Sequence, residues 1–94
     1  MIYDLRISNC AKKDLKRLDK TVIHAVLSVL EKIAENPYAG EPFHGDLSNL
    51  KKWSLNHMGA SYRIAYRIYE DRVEVVIMQI GTRENFYDEL KRRQ

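Results

Sequence analysis

The sequence has little of what staples a small protein or carries it through a membrane. Its 94 residues include one cysteine, two prolines and four glycines. A single Cys10 excludes an internal disulfide and fits a reducing cytoplasm. With no activating base nearby in sequence, Cys10 reads as a small, buried or half-buried hydrophobe and not as a catalytic thiol. No apolar run approaches the ~18 residues that suggest a membrane span. The opening MIYDLRISNC carries charge at Asp4 and Arg6 and does not read as a signal peptide. There is no internal repeat, low-complexity stretch or linker. No carboxylate pair or His/Cys cluster has metal-ligand spacing, so neither a metal nor another cofactor is expected.

What is present fits one globular domain over residues 1–94. Hydrophobic residues make up 45% and charged residues 31%, the balance of a folded soluble chain rather than a disordered one. The net charge of +3 is unevenly placed. Residues 1–50 hold seven Lys/Arg and seven Asp/Glu, whereas residues 51–94 hold nine and six, so the whole excess lies in the second half. Concentrated positive charge attracts polyanions, nucleic acid above all. An excess this small is ordinarily a solvated surface, so its placement has to decide.

Periodicity supplies the placement. Tyr3, Leu5 and Ile7 alternate with Asp4 and Arg6, as in a half-buried strand. Ser8 or Asn9 then caps a short helix with Ala11, Leu15 and Leu18 on one side. Asp19 or Thr21 starts a longer helix to about Glu35, whose apolar residues from Val22 to Ala34 recur at spacings of three and four. Asn36-Pro37 stops it. Residues 38–49, YAGEPFHGDLSN, read as a loop with turn chemistry. KKWSLN is a short strand, and Tyr62 to Tyr69 is a second with clean alternation. After a tight connection at Glu70-Asp71, Val73 to Ile80 is apolar on both faces, as in a central strand. Glu84 to about Arg92 reads as a terminal helix.

The resulting class is α+β: an N-terminal strand, a two-helix hairpin, an antiparallel three-strand meander and a short C-terminal helix. The helical stripe needs an apolar surface, and one sheet face supplies it. The other face is expected to be open and basic. Side chains alternate along a strand, so Lys52, Ser54 and Asn56 face outward if Trp53 and Leu55 face the helices. By the same parity Arg63 and Arg67 face outward. Arg83 follows the last strand, and Tyr87, four residues on, can share its helix face.

Such a surface suits single-stranded RNA. Arginine offers a planar fork of donors to phosphate oxygens, and tyrosine offers a stacking platform worth ~1–3 kcal/mol per base. A lysine crowded by cations can lose its proton. Together they could assist attack of a 2′-hydroxyl on the adjacent phosphorus, because fixed cations stabilise the extra negative charge of that transition state. No metal is needed for that chemistry. Trp53, Tyr62 and Tyr66 read as core aromatics, and the basic face of Lys12, Lys13, Lys16 and Arg17 as a solvated one.

The stretches YRIAYRI and IGTRENFYDELKRR are the most specific carriers of a family resemblance. With the opening strand, AKKDLKRLDK and its following helix, ENP and the loop before KKWSL, they make the chain resemble the RelE/ParE superfamily of type II toxin–antitoxin toxins, on the RelE side. The resemblance covers nearly the whole chain. It implies an endoribonuclease that cuts messenger RNA in the ribosomal A site and so inhibits translation in the cytoplasm. By resemblance Lys52, Arg63, Arg83 and Tyr87 are the catalytic residues. Contacts to RNA are expected from Lys51, Arg67, His57, Lys91 and Arg92. The implied partners are a cognate antitoxin, messenger RNA and the 16S RNA of the ribosome, with no membrane.

One departure stands out. The RelE pattern places a second lysine two residues after the first, and here that position is Ser54. This leaves the general base open. His57 and His44 are candidates, each with the plain alternative of a loop histidine, while His24 reads as structural or exposed. Two other functions stay open: a ParE-like inhibitor of DNA gyrase, and an RNA-binding homologue that has lost catalysis.

Overall fold

The computed structural model describes residues 2–93. Ser8 begins the first helix as expected: its backbone is extended (φ −63°, ψ 159°) and its Oγ accepts the Ala11 N–H at 3.2 Å, meeting one orphan donor of the first turn. Helix α1 runs Asn9–Lys16 and helix α2 Lys20–Glu35, with Asp19 at the N-cap. Ahead of them lies strand β1, Asp4–Ile7. After them come β2 (Glu41–Pro42), β3 (Lys51–His57), β4 (Ala60–Tyr69), β5 (Glu74–Thr82) and helix α3 (Phe86–Arg93).

The five strands form one sheet in the order β1-β5-β4-β3-β2. The meander β3-β4-β5 is antiparallel, and β1 joins β5 in parallel. The β3–β4 hairpin turns at Met58 and Gly59, both at positive φ (49° and 83°). Two successive left-handed residues form the turn whose twist matches that of the flanking strands. Ala65 pairs with Gln79 and Tyr66 with Ile77, so Met78 is the extra residue of a bulge. That bulge lets Ile77 and Ile80 both face the helices.

On the helix-covered face, Val22, Val26, Leu30 and Ile33 of α2 pack on Ile64, Tyr66, Val75, Ile77 and Ile80, with Trp53, Leu55 and Tyr62 at the margin. The expected destination of the helical stripe and the expected strand parity are both observed.

The opposite face is only partly open. Phe43, Leu47, Leu50, Phe86 and Leu90 form a second buried cluster on Ala65, with Met78 against it. The segment read as a plain loop supplies Phe43 and Leu47, Leu50 follows it directly, and α3 supplies the other two. Two further corrections concern single residues. Cys10 is exposed, because Ala11 and Asp14 take the inward positions of α1. Helix α3 begins at Phe86 rather than Glu84, since Asn85 sits at φ 57° and interrupts the helical path. Asparagine tolerates that conformation better than most residues.

Helix α3 is fastened at both ends. Gln79 is buried and its Nε2 donates to the Phe86 carbonyl at 2.8 Å. At the other end Arg93 makes a bidentate pair with the buried Asp14, at 2.9 and 3.1 Å. Asp14 Oδ2 also accepts the Ile80 N–H at 3.0 Å, so one carboxylate joins α1, β5 and α3. The Asp14 carboxylate in turn holds the Arg93 guanidinium above its ordinary pKa.

Candidate active site

The site grows from three pieces of chain on the second face. Strand β3 contributes Lys52, which pairs with Ala65 of β4 and so shares its face. One step along, Ser54 pairs with Arg63, and Arg63 pairs with Gly81 of β5. The guanidinium of Arg63 thus rises between two small residues, which leaves space above the strand.

The third piece is α3. Tyr87 lies in its first turn and remains 37% exposed, although Phe86 beside it is buried. The Tyr87 hydroxyl donates to the His44 carbonyl at 3.2 Å. Its ring meets the Phe43 ring edge to face, with centroids 5.7 Å apart and planes at 70°. The other side of the arrangement is cationic: Lys52 Nζ is 5.4 Å from the Phe43 ring centre, and Lys91 Nζ is 5.5 Å from that of Tyr87. Lysine, phenyl, phenol and lysine therefore follow one another across the face. Each cation lies within the ~6 Å at which a ring attracts it.

Three salt bridges occur among the described residues: Arg6–Glu74, Arg72–Glu74 and Arg93–Asp14. None involves Lys52, Arg63 or Arg83. Their charge is not neutralised within the fold, which is what an anion-binding surface requires.

Lys52, Arg63 and Tyr87 are on one side of the sheet. Arg83 is exposed on the connection between β5 and α3, so it shares no helix face with Tyr87; the spacing of four does not apply before the helix starts. Lys91 joins the group through Tyr87, and Arg92 is exposed on the same helix. Arg67 has the right parity but lies four residues along β4 from Arg63, about 13 Å at strand rise. There its guanidinium is 4.7 Å from the Tyr69 ring centre, and that of Arg72 is 4.1 Å from it. Lys51 pairs with Tyr66, so it belongs to the helix-covered face. His57 has that same parity, and its Nε2 is buried without a hydrogen-bond partner. His44 reaches the site through its backbone carbonyl. His24 is exposed on α2.

Phe43 was missed in the sequence because it stands among turn-forming residues. The available signal was the spacing of Phe43, Leu47 and Leu50, which is that of an inward-facing set. Gln79, the polar residue within the apolar run of β5, was a second signal. A third element is the core phenol of Tyr66, whose hydroxyl donates to the Pro37 carbonyl at 2.7 Å. Burial pushes this phenol up to about 12, partly offset by a backbone hydrogen bond at Gly40. Tyr38 is also pushed up, chiefly by its hydrogen bond to Glu70, but it lies away from the site. No group of three or more His, Cys, Asp or Glu is placed to hold a metal ion among the described residues. None of the described helices is long and apolar enough to cross a membrane.

Comparison with known proteins places this geometry in a family. The toxin RelG of Mycobacterium tuberculosis is 26% identical over 89 residues, covering 93% of this chain and 98% of that protein. Among solved structures, the Escherichia coli toxin RelE, a doubly substituted form in the free state, superposes with a TM-score of 0.80 at 26% identity. That match covers 99% of this chain and 98% of the other. The toxin–antitoxin complex RelBE2 of M. tuberculosis gives 0.75 at 27% identity, over 88% of this chain and 100% of that one. The family model for the ParE-like toxin of type II bacterial toxin–antitoxin systems matches residues 5–91. The chain belongs to that toxin family, on the RelE branch of the RelE/ParE superfamily.

Proposed function

We propose that the chain is a messenger-RNA interferase that cleaves by attack of a ribose 2′-hydroxyl on the adjacent phosphorus. The observation that carries this reading is the row Lys52, Phe43, Tyr87 and Lys91 beside Arg63 on one sheet face. Arg63 and Arg83 supply fixed guanidinium charge to phosphoryl oxygens, whose negative charge grows toward the transition state. The partly exposed Tyr87 ring offers a flat surface to an unpaired base. Lys52, held against an aromatic face, adds a charge whose position is fixed before substrate arrives.

The same exposed charge needs a partner when the toxin is silent. We assign that role to a cognate antitoxin, as in the RelBE2 assembly. An antitoxin segment that orders on binding and carries acidic side chains complements Lys52, Arg63 and Arg83. We infer that catalysis takes place on the ribosome, with the exposed Lys12, Lys13 and Lys16 of α1 and Arg17 at its C-cap as a basic surface toward ribosomal RNA.

The test is induction in growing cells followed by primer extension of abundant messages. Cuts phased with codons in translated regions are expected. Intact messages with an SOS response would instead identify a gyrase inhibitor.

A further inference from the structure

One polar side chain sits where the packing of the core does not call for it. Gln79 lies within β5 and is 1% exposed. It pairs with Ala65 of β4, and Ala65 pairs with Lys52 of β3. Cross-strand partners share a sheet face, so one row runs from the candidate site to the floor beneath α3. The Gln79 amide is only half used. Its Nε2 donates to the Phe86 carbonyl at 2.8 Å, while its Oε1 is buried and has no hydrogen-bond partner among the described residues. A buried amide with an unmet acceptor is destabilising. Leucine or methionine, of similar volume, would fill the same space without that penalty.

The bond from Gln79 is not needed to complete α3. Phe86 is the first residue of that helix, and a helical carbonyl accepts the N–H four residues on, here that of Leu90. The amide therefore rescues no orphan carbonyl. It fixes the direction of a carbonyl that already has a partner, and with it the rotation of α3 about its axis. Successive helical residues stand about 100° apart around that axis, so the direction of the Phe86 carbonyl determines where Tyr87 leaves the helix. At its tip Tyr87 is held more loosely. Its ring is 37% exposed, its hydroxyl reaches the His44 carbonyl at 3.2 Å, and the Phe43 ring meets it edge to face. The other firm fastening, Arg93 on Asp14, is at the far end of the helix.

We propose that Gln79 is a positioning residue of the RNA site: from beneath α3 it sets the rotation of the helix and so the place of the Tyr87 ring. This rests on the interferase reading above. Lys52 and Arg63 take their places from the sheet, whereas Tyr87 takes its place from a helix laid on the sheet. Gln79 is the side chain that ties the two together next to the stacking residue. With leucine in its place α3 is free to turn about the Arg93 fastening, and the Tyr87 ring moves relative to Lys52 and Arg63. A buried polar group that a well-packed apolar residue would outdo in stability calls for an explanation, and holding a site in place is a recurrent one, at the expense of stability.

The experiment is single-turnover cleavage of a defined message on programmed ribosomes by wild type, Gln79→Leu, Gln79→Met, Tyr87→Ala and the double variant Gln79→Leu/Tyr87→Ala, with urea unfolding of each. Gln79→Leu and Gln79→Met are expected to unfold at the wild-type midpoint or above it. Both are expected to cleave more slowly by about tenfold or more, the loss of one stacked base. In the Tyr87→Ala background Gln79→Leu is expected to change the residual rate less than twofold, because a residue that acts through Tyr87 has nothing left to position. Cleavage by Gln79→Leu within twofold of wild type overturns the assignment and leaves the interferase reading standing. So does an equal loss of rate in both backgrounds, which makes the effect independent of Tyr87. Failure of both apolar variants to fold makes the amide a support of the core and overturns the assignment as well. If wild type leaves the message intact, the interferase reading itself fails and this assignment with it.

Discussion

The ring of Phe43 meets the ring of Tyr87 edge to face at 5.7 Å, and so a residue of the β2–β3 connection sets the place of a residue on the last helix. The same ring carries Lys52 Nζ at 5.4 Å. Phe43 is therefore both a core residue and the spacer of the candidate site. Phe43→Ala should lower stability by about 3 kcal/mol, the usual cost of emptying a buried aromatic position. Phe43→Leu keeps most of the volume and should cost about 1 kcal/mol, yet it removes the face on which Lys52 rests. Urea unfolding and cleavage rate should thus separate: a small loss of stability accompanied by at least a tenfold loss of rate in Phe43→Leu. Equal rates would show that the ring only fills space.

Arg93 should matter for the fold and for α3 without touching substrate. Its removal leaves the Asp14 carboxylate buried with the Ile80 N–H as its remaining donor. Losing one partner of a buried pair is costly because the other stays desolvated. Arg93→Ala should destabilise by roughly 2 kcal/mol, and Asp14→Asn in the same chain should recover part of that loss. Hydrogen exchange should show α3 opening first in Arg93→Ala, since it loses one of its two fastenings.

Tyr66 makes a pH prediction. The fold holds the neutral phenol and raises its pKa from 10.0 to about 12. A raised folded value means that the group's contribution is fully present below pH 10. It is then lost as pH climbs toward 12, at up to about 1.4 kcal/mol per unit. Urea midpoints from pH 9 to 11.5 should fall more steeply for wild type than for Tyr66→Phe. At neutral pH Tyr66→Phe should cost about 1 kcal/mol, since the Pro37 carbonyl loses its donor. Parallel slopes for the two proteins would remove Tyr66 from the alkaline transition.

Much of this architecture can be seen in the order of the residues. Alternation along Tyr62–Tyr69 and the spacing from Val22 to Ala34 identify the core face, and the structure keeps both. Parity put Lys52 and Arg63 on one side, because period-two alternation turns Lys52 outward once Trp53 and Leu55 are inward, and Arg63 outward once Ile64 and Tyr66 are. The contacts of the second cluster were not legible in the same way. Phe43, Leu47 and Leu50 sit in irregular backbone, where no periodicity announces burial. The pairing of β2 with β3 depends on Gly40 approaching Tyr66, a contact between residues 26 apart in sequence. Asp14 and Arg93 are a single helical acid and a terminal base until the fold joins them. The start of α3 turned on the left-handed backbone of Asn85, which decided that Arg83 stands outside the helix.

The account depends most on RNA cleavage by the face that bears Arg63, and cleavage of a ribosome-bound message by wild type and Arg63→Ala tests it directly. Wild type should give fragments ending in 2′,3′-cyclic phosphate and beginning with 5′-hydroxyl, read by mass spectrometry. Arg63→Ala should be folded to the same melting temperature within a few degrees and slower by at least 100-fold. Intact message with wild type, or equal rates for the two proteins, would contradict the account.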